Sequence, residues 1–294
     1  MLRPLAICCA ALLFCCGATA AFAANEQEPF AARTSPAYTI TVIPYYSPEK
    51  LWTKFSPFIE HLRKTTGLPW ELKLYPNHAS LLDGLCKGEV SFAFLGPVPL
   101  ARAIDRCRAD IAAVALGKDG QPFYRSVIVT ADPSVQVLGD LRGRRFGLFK
   151  GSTAAHIIPL KMLHDAGLGD NDIVPVFFES QDHIMNALLE HTVSGAGVKD
   201  ALYQKFKTEP LRILKTSAHL PGFSFAVAPT VSAATKQRFI DSLLRLDPRT
   251  RPDDRRLMQD WDDEIKNGFI LPPPDFKTSI LNARSVYREI LHED

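Results

Sequence analysis

The chain has 294 residues, 46% hydrophobic and 22% charged, with 34 basic residues against 32 acidic ones. That length and apolar content suit two domains with substantial cores. The near-balance of charge argues against nucleic-acid binding, which draws on a concentrated basic surface. The densest basic stretch, Arg245 to Arg256, is interrupted by Asp247, Asp253 and Asp254 and reads as a solvated connection.

The first residues, MLRP, carry one positive charge, and Leu5 to Phe14 is an apolar run too short to span a bilayer. Small residues follow as far as Ala21-Phe22-Ala23, an A-x-A cleavage pattern, so residues 1–23 read as a secretory signal peptide removed after Ala23. Of the 34 basic residues only Arg3 lies in that leader, leaving 33 against 32 acidic. A lipoprotein signal would set a small residue before its acceptor cysteine, whereas Cys8, Cys9, Cys15 and Cys16 follow Ile, Cys, Phe and Cys. No other run approaches a transmembrane span, so the mature chain is expected to be soluble and periplasmic.

Strand and helix patterns then alternate. Tyr38 to Pro44 is β-rich, and Ser47-Pro48 opens a helix with Leu51, Phe55, Phe58, Ile59 and Leu62 on one face; Pro57 should bend it or mark its start. A strand at Trp70 to Tyr75, a helix from His78 to Lys87, a strand at Val90 to Leu95 and a helix from Val98 to Arg108 follow. Strands separated by helices imply a parallel, twisted α/β sheet. Ile111 to Leu116 and Phe123 to Thr130 read as two further strands joined through Lys118-Asp119-Gly120.

A second series begins after Asp132-Pro133. It comprises a strand at Arg145 to Phe149, a helix from Ser152 to Ala166 ending at Gly167, a strand at Ile173 to Phe178, a helix from Asp182 to His191, and strands at Val193 to Val198 and Leu211 to Leu214. Leu220-Pro221-Gly222 precedes an apolar run, Phe223 to Ala228, and the tail reads as helices over Ser232 to Leu246, Arg255 to Asn267 and Phe276 to Leu291. The expected organisation is a hinged α/β molecule. Residues 38–130 and 221–294 form a discontinuous lobe 1, and 131–220 form lobe 2. No short-period repeat is apparent.

The stretch RRFGLFKGSTAAHIIP, Arg144 to Pro159, carries the chemistry. A strand breaks at Gly151, and Ser152 and Thr153 open a helix whose first-turn N–H groups and positive dipole end, with two hydroxyls, can cradle an anion. The same residues also fit a plain N-cap. His78 and His156 could add charge to such a site if protonated, or face solvent. Tyr45 and Tyr46 end the first strand, where open α/β sheets place ligands, and Arg125 could reach an anion or bridge the lobes. The histidines lack the spacing of a zinc site, and no G-x-S-x-G or comparable nucleophile signature occurs, so neither metal, cofactor nor enzyme chemistry is expected. Of the mature cysteines, Cys86 and Cys107 sit near the ends of helices flanking one strand; export permits a disulfide, the alternative being a thiolate pair for a soft metal or arsenic species.

Several segments in consistent order from Thr39 to Leu246 resemble the phosphate, phosphite and phosphonate family of ABC-transporter substrate-binding proteins. VIPYYSPEKLWTKFSPFIEHLRKTTGLP looks like the family's opening strand and helix, and YPNHASLLDGLCKGEVSFAFLGPVPLARA like its next strand–helix–strand unit. PFYRSVIVT resembles its hinge strand, LGDLRGRRFGL the entry to its second lobe and GSTAAHIIP its anion-binding loop. The resemblance implies a two-lobed periplasmic-binding-protein fold (type II-like) with a hinge and a ligand cleft between the lobes. It further implies a monomeric, non-enzymatic protein that captures a small oxyanion for an ABC permease; the alternatives are presentation of the bound oxyanion to a membrane sensor kinase and, less favoured, an exported enzyme.

Carried over by position, Ser152 and Thr153 match the family's anion cradle. His78 falls where a Tyr often reaches the ligand, and His156 lies near an aromatic position. Ala154 replaces a Ser, Gln181 a His, Ser194 an Asp and Leu100 a Tyr. Ala154 removes a donor and Gln181 cannot take a positive charge. Gly222-Phe223-Ser224 stands where alkylphosphonate binders can use an acid, which argues against an aminoalkylphosphonate.

Overall fold

A computed structural model describes residues 37–291 of the chain, so the signal-peptide expectation for residues 1–23 lies outside the described residues. The chain runs through β1 (Tyr38–Val42), α1 (Pro48–Thr66), β2 (Trp70–Leu72), α2 (His78–Cys86), β3 (Phe92–Leu95), α3 (Pro97–Cys107), β4 (Asp110–Ala115) and the short β5 (Phe123–Tyr124). It continues through β6 (Ser126–Thr130), β7 (Arg145–Leu148), a π-helical turn at Thr153–Ile157, α4 (Ile158–Asp165), β8 (Val174–Phe177), α5 (Gln181–Leu189), β9 (Gly195–Lys199), α6 (Asp200–Lys205) and β10 (Arg212–Thr216). It returns through β11 (Leu220–Pro221), β12 (Ser224–Val227), α7 (Ala233–Leu244), α8 (Pro252–Met258), β13 (Phe269–Ile270) and α9 (Phe276–Leu291).

Local signals set these boundaries. Ser47 caps α1 by accepting from the Lys50 N–H, Pro48 occupies its first turn, and Gly67 ends it at φ 68°, a left-handed conformation that suits glycine. Leu51, Phe55, Phe58, Ile59 and Leu62 are buried as their spacing predicts. Pro57 neither starts nor ends the helix. Beside it, the Ser56 hydroxyl donates to the Trp52 carbonyl at 2.6 Å.

One six-stranded sheet has the order β13-β4-β12-β3-β1-β2, and a five-stranded sheet has the order β10-β6-β9-β7-β8. Each anchors one lobe. The first is mixed rather than parallel as expected, because the returning β12 runs antiparallel between β3 and β4. Its core is aromatic: Phe92 stacks on Phe239 at 4.2 Å and Phe58 lies over Phe225 at 5.4 Å, all fully buried. Burial of each such ring contributes about 1.5–3 kcal/mol.

Two boundaries differ from expectation. Phe123 to Thr130 is not one strand of the first lobe: β5 pairs with β11 in a two-stranded ribbon, while β6 lies inside the second sheet. The chain therefore crosses at Arg125 rather than near residue 131. The Arg125 N–H donates to Asp200 Oδ2 at 3.1 Å and its carbonyl accepts from the Asp200 N–H at 3.0 Å, which turns its backbone out of either ladder. The helix expected over Arg255 to Asn267 stops at Met258. Beyond it, Trp261 and Asp262 turn inward, Asp262 accepting from Tyr45 Oη at 2.8 Å and from the Glu264 N–H at 2.9 Å. Helix continuation would withdraw that carboxylate.

A disulfide joins Cys86 to Cys107, at the C-terminal ends of α2 and α3, with Cα atoms 5.2 Å apart. No helix among the described residues is long and apolar enough to cross a membrane.

Candidate functional site

β1 and β3 are parallel in one sheet, and β7 and β9 in the other. The C-terminal ends of such strands are where backbone groups and loop side chains collect around a ligand. Tyr45 and Tyr46 follow β1, Gly96 and α3 follow β3, Gly151 to Thr153 follow β7, and Lys199 ends β9.

The β7 loop turns at Gly151, whose φ of 82° suits glycine; a Cβ there would come within 3.3 Å of the His78 side chain from the other lobe. Ser152 is a true N-cap, its Oγ accepting from the Ala155 N–H at 3.2 Å. Thr153 does something the sequence did not suggest: its Oγ1 accepts from the Val98 N–H at 2.9 Å, joining the cradle to the first turn of α3 across the lobes. Pro97 and Pro99 have no N–H, so Val98 is the donor that this turn can offer between them. The Ala154 carbonyl accepts from Ser126 Oγ at 2.6 Å.

His78 and His156 are both buried in this cluster rather than solvent-facing. Gly151 N–H donates to His156 Nδ1 at 3.2 Å, so a neutral His156 carries its proton on Nε2. His78 packs on Phe149, with ring centroids 5.0 Å apart, and both its ring nitrogens are buried without a hydrogen-bond partner. Burial lowers the His78 pKa to about 4, helped by His156 and Arg102; burial and then Lys150 lower that of His156 to about 4. At neutral pH both imidazoles are uncharged in this structure, and an anion would meet them as hydrogen-bonding groups.

Tyr46 and Gln181 lie elsewhere, on the lining of a cavity of about 620 Å³ that also includes Tyr45, Tyr124, Lys199 and Phe223. Tyr46 Oη accepts from Lys205 Nζ at 3.2 Å, and Lys50 Nζ sits 3.5 Å from the centre of its ring; burial pushes its hydroxyl up to about 12. Gln181 Oε1 accepts from the Lys199 N–H at 3.0 Å. The seven expected site residues therefore form two groups: Ser152, Thr153, Ala154, His78 and His156 in one, and Tyr46 and Gln181 in the other. Tyr124 and Phe223 lie between them. Phe223 and Thr153 Oγ1 both come within about 3.5 Å of the point where a Cβ on Gly96 would lie. Burial pushes the Tyr124 hydroxyl well above the phenol range, and it has no hydrogen-bond partner.

Arg125 is exposed and meets His219 at 3.1 Å, and it does not itself line the cavity. Among the described residues there is no cluster of three or more His, Cys, Asp or Glu suited to a metal. Sequence reasoning overlooked Lys199, Tyr124 and Glu264. A lysine closing the apolar run VSGAGV was a usable signal for Lys199. Nothing local marks Glu264, which reaches Lys199 from 65 residues away.

Two lobes built on separate sheets, with loops meeting at their strand ends, define a periplasmic-binding-protein fold. Over residues 40–272 the sequence matches the family described as ABC transporter, phosphonate, periplasmic substrate-binding protein, and the chain belongs to that family. It is 26% identical over 235 residues to the phosphonates-binding periplasmic protein of Escherichia coli (strain K12), covering 74% of this chain and 66% of that one. It is 27% identical over 169 residues to the phosphate-import protein PhnD of Mycolicibacterium smegmatis, covering 55% and 51%. The chain thus spans about two thirds and about half of these relatives' lengths. In fold it is similar to a Prochlorococcus marinus protein solved in complex with methylphosphonate, with a TM-score of 0.74, 14% identity and coverage of 88% of this chain and 99% of that one. These names describe binding and import rather than catalysis.

Proposed function

We propose that this chain is an exported, periplasmic, monomeric solute-binding protein that captures a phosphonate, phosphate, phosphite or related small oxyanion and delivers it to an ABC permease. The observation that carries this reading is the meeting of the Gly151–Thr153 loop with His78 and the first turn of α3, each lobe supplying part of one polar cluster. Helix-start amides and hydroxyls hold an oxyanion by hydrogen bonds. Ser152 Oγ is engaged in capping, accepting from the Ala155 N–H.

The reading is tested by calorimetry of the mature protein with phosphate, phosphite and methylphosphonate, together with small-angle scattering. Micromolar or tighter binding of at least one anion and a smaller radius of gyration at saturation are expected, as in hinged closure. Failure of all three to bind would overturn it. Uptake of the bound anion that depends on a neighbouring permease would separate delivery to a transporter from presentation to a sensor kinase.

A further inference from the structure

Lys199 is 8% exposed at the end of β9. Its ammonium lies 4.7 Å from the centre of the Tyr124 ring and 4.5 Å from that of Phe223, and it is paired with Glu264 of the other lobe. Asp263, beside it, already serves both Lys205 and Lys266. Tyr124, 6% exposed, lines the same cavity with a hydroxyl that has no hydrogen-bond partner. A buried O–H without a partner is costly, and a lysine ammonium is a compact cation with three donors. Each group is suited to receive an anion.

The cavity is also large for a bare inorganic anion. At about 620 Å³ it falls in the range of roughly 300–1,000 Å³ that accommodates drug-sized molecules. Its walls include the rings of Tyr45, Tyr46, Phe123, Tyr124 and Phe223, which favour contact with an apolar or aromatic group.

Building on the oxyanion-binding reading above, we propose that Lys199 and Tyr124 receive the anionic head of an organic oxyanion whose apolar or aromatic tail lies among the tyrosines and Phe223. In this arrangement Glu264 is an internal competitor. Its carboxylate holds Lys199 across the lobes, and the ligand's head displaces it. Tyr124, next to Thr153, makes the head-group end continuous with the Ser152–Thr153 cradle.

The test is calorimetry of the mature protein with phenylphosphonate, methylphosphonate and inorganic phosphate. Phenylphosphonate should bind at least about tenfold more tightly than phosphate, since its ring is buried against aromatic walls. Lys199→Met should weaken phenylphosphonate binding about tenfold or more, and Tyr124→Phe several-fold. Glu264→Gln should strengthen it several-fold by releasing the lysine, and the Lys199→Met/Glu264→Gln double variant should match Lys199→Met. The double variant leaves no buried charge unpaired, so it and Tyr124→Phe remain informative if Lys199→Met fails to fold. Wild-type affinity in the double variant, or no gain in Glu264→Gln, overturns the proposal. Tight phosphate binding with no phenylphosphonate binding overturns it while leaving the oxyanion reading intact; binding of none of the three, nor of phosphite, removes both.

Discussion

Val98 N–H donates to Thr153 Oγ1 at 2.9 Å, and the two residues belong to different lobes. A hydroxyl expected to face a ligand therefore also joins the lobes at the first turn of α3. The two roles predict different consequences for different replacements. Thr153→Ala leaves a buried N–H unpaired, at a cost of roughly 1–3 kcal/mol, and removes the proposed donor to the oxyanion, which should weaken its binding about tenfold. Thr153→Ser retains both interactions. Urea unfolding and calorimetry with methylphosphonate should show loss of stability and of affinity in the first variant and near-wild-type values in the second. Wild-type affinity in Thr153→Ala would remove Thr153 from the ligand site.

Gly151 sits where the β7 loop meets His78. Gly151→Ala forces a side chain into the left-handed region, costing roughly 1–2 kcal/mol, and sets its Cβ about 3.3 Å from the His78 ring. His78 must shift to admit it. The variant should unfold at lower urea concentration and bind methylphosphonate several-fold more weakly. Unchanged affinity would show that His78 has no part in holding the anion.

The alternating αβ pattern was legible because helix and strand periodicities are local: the buried face of α1 and the strand-to-helix break at Gly151-Ser152-Thr153 both stand where residue types put them. Two kinds of feature were not. The crossover at Arg125 depends on backbone hydrogen bonds to Asp200, and the mixed first sheet depends on β12 inserting between β3 and β4. Both are set by distant pairing. The site divides along the same line. Ser152 and Thr153 were visible as a motif, whereas the Lys199–Glu264 pair and the Val98–Thr153 bond arise only when the lobes meet.

The buried histidines make stability pH-dependent. Unfolded imidazoles titrate near 6.5, while His78 and His156 are lowered to about 4 in the fold. Between those values the unfolded chain binds more protons, so stability is full above about pH 6.5 and is lost as pH falls toward 4. Asp262 acts in the opposite sense, since burial raises its carboxyl from 3.8 to about 6. One of the three buried histidines, His61 being lowered by burial as well, is therefore offset over much of the window. His78→Phe, which keeps the packing on Phe149, should flatten the fall by about 1.4 kcal/mol per pH unit. Urea midpoints from pH 7 to 4.5 that fall equally steeply in wild type and variant would show that His78 is not buried as a neutral ring.

The disulfide ties α2 to α3 at their C-terminal ends, while their N-terminal ends carry His78 and Val98. It closes a loop with a sequence separation of 21 residues, for which the lost freedom of the unfolded chain predicts about 3 kcal/mol of stabilisation. The unreduced, unfolded protein prepared without residues 1–23 should show no free thiol. The Cys86→Ser/Cys107→Ser double variant should unfold with about 3 kcal/mol less stability, and its two helices should loosen together. Because His78 approaches Gly151 from α2 while Val98 meets Thr153 from α3, that loosening should reach the site as a several-fold loss of methylphosphonate affinity. Hydrogen exchange should quicken in α2 and α3 before it does in β7 and β9. Two titratable thiols in the wild type would refute the bridge, and loss of stability with unchanged exchange in both helices would refute the coupling from bridge to site.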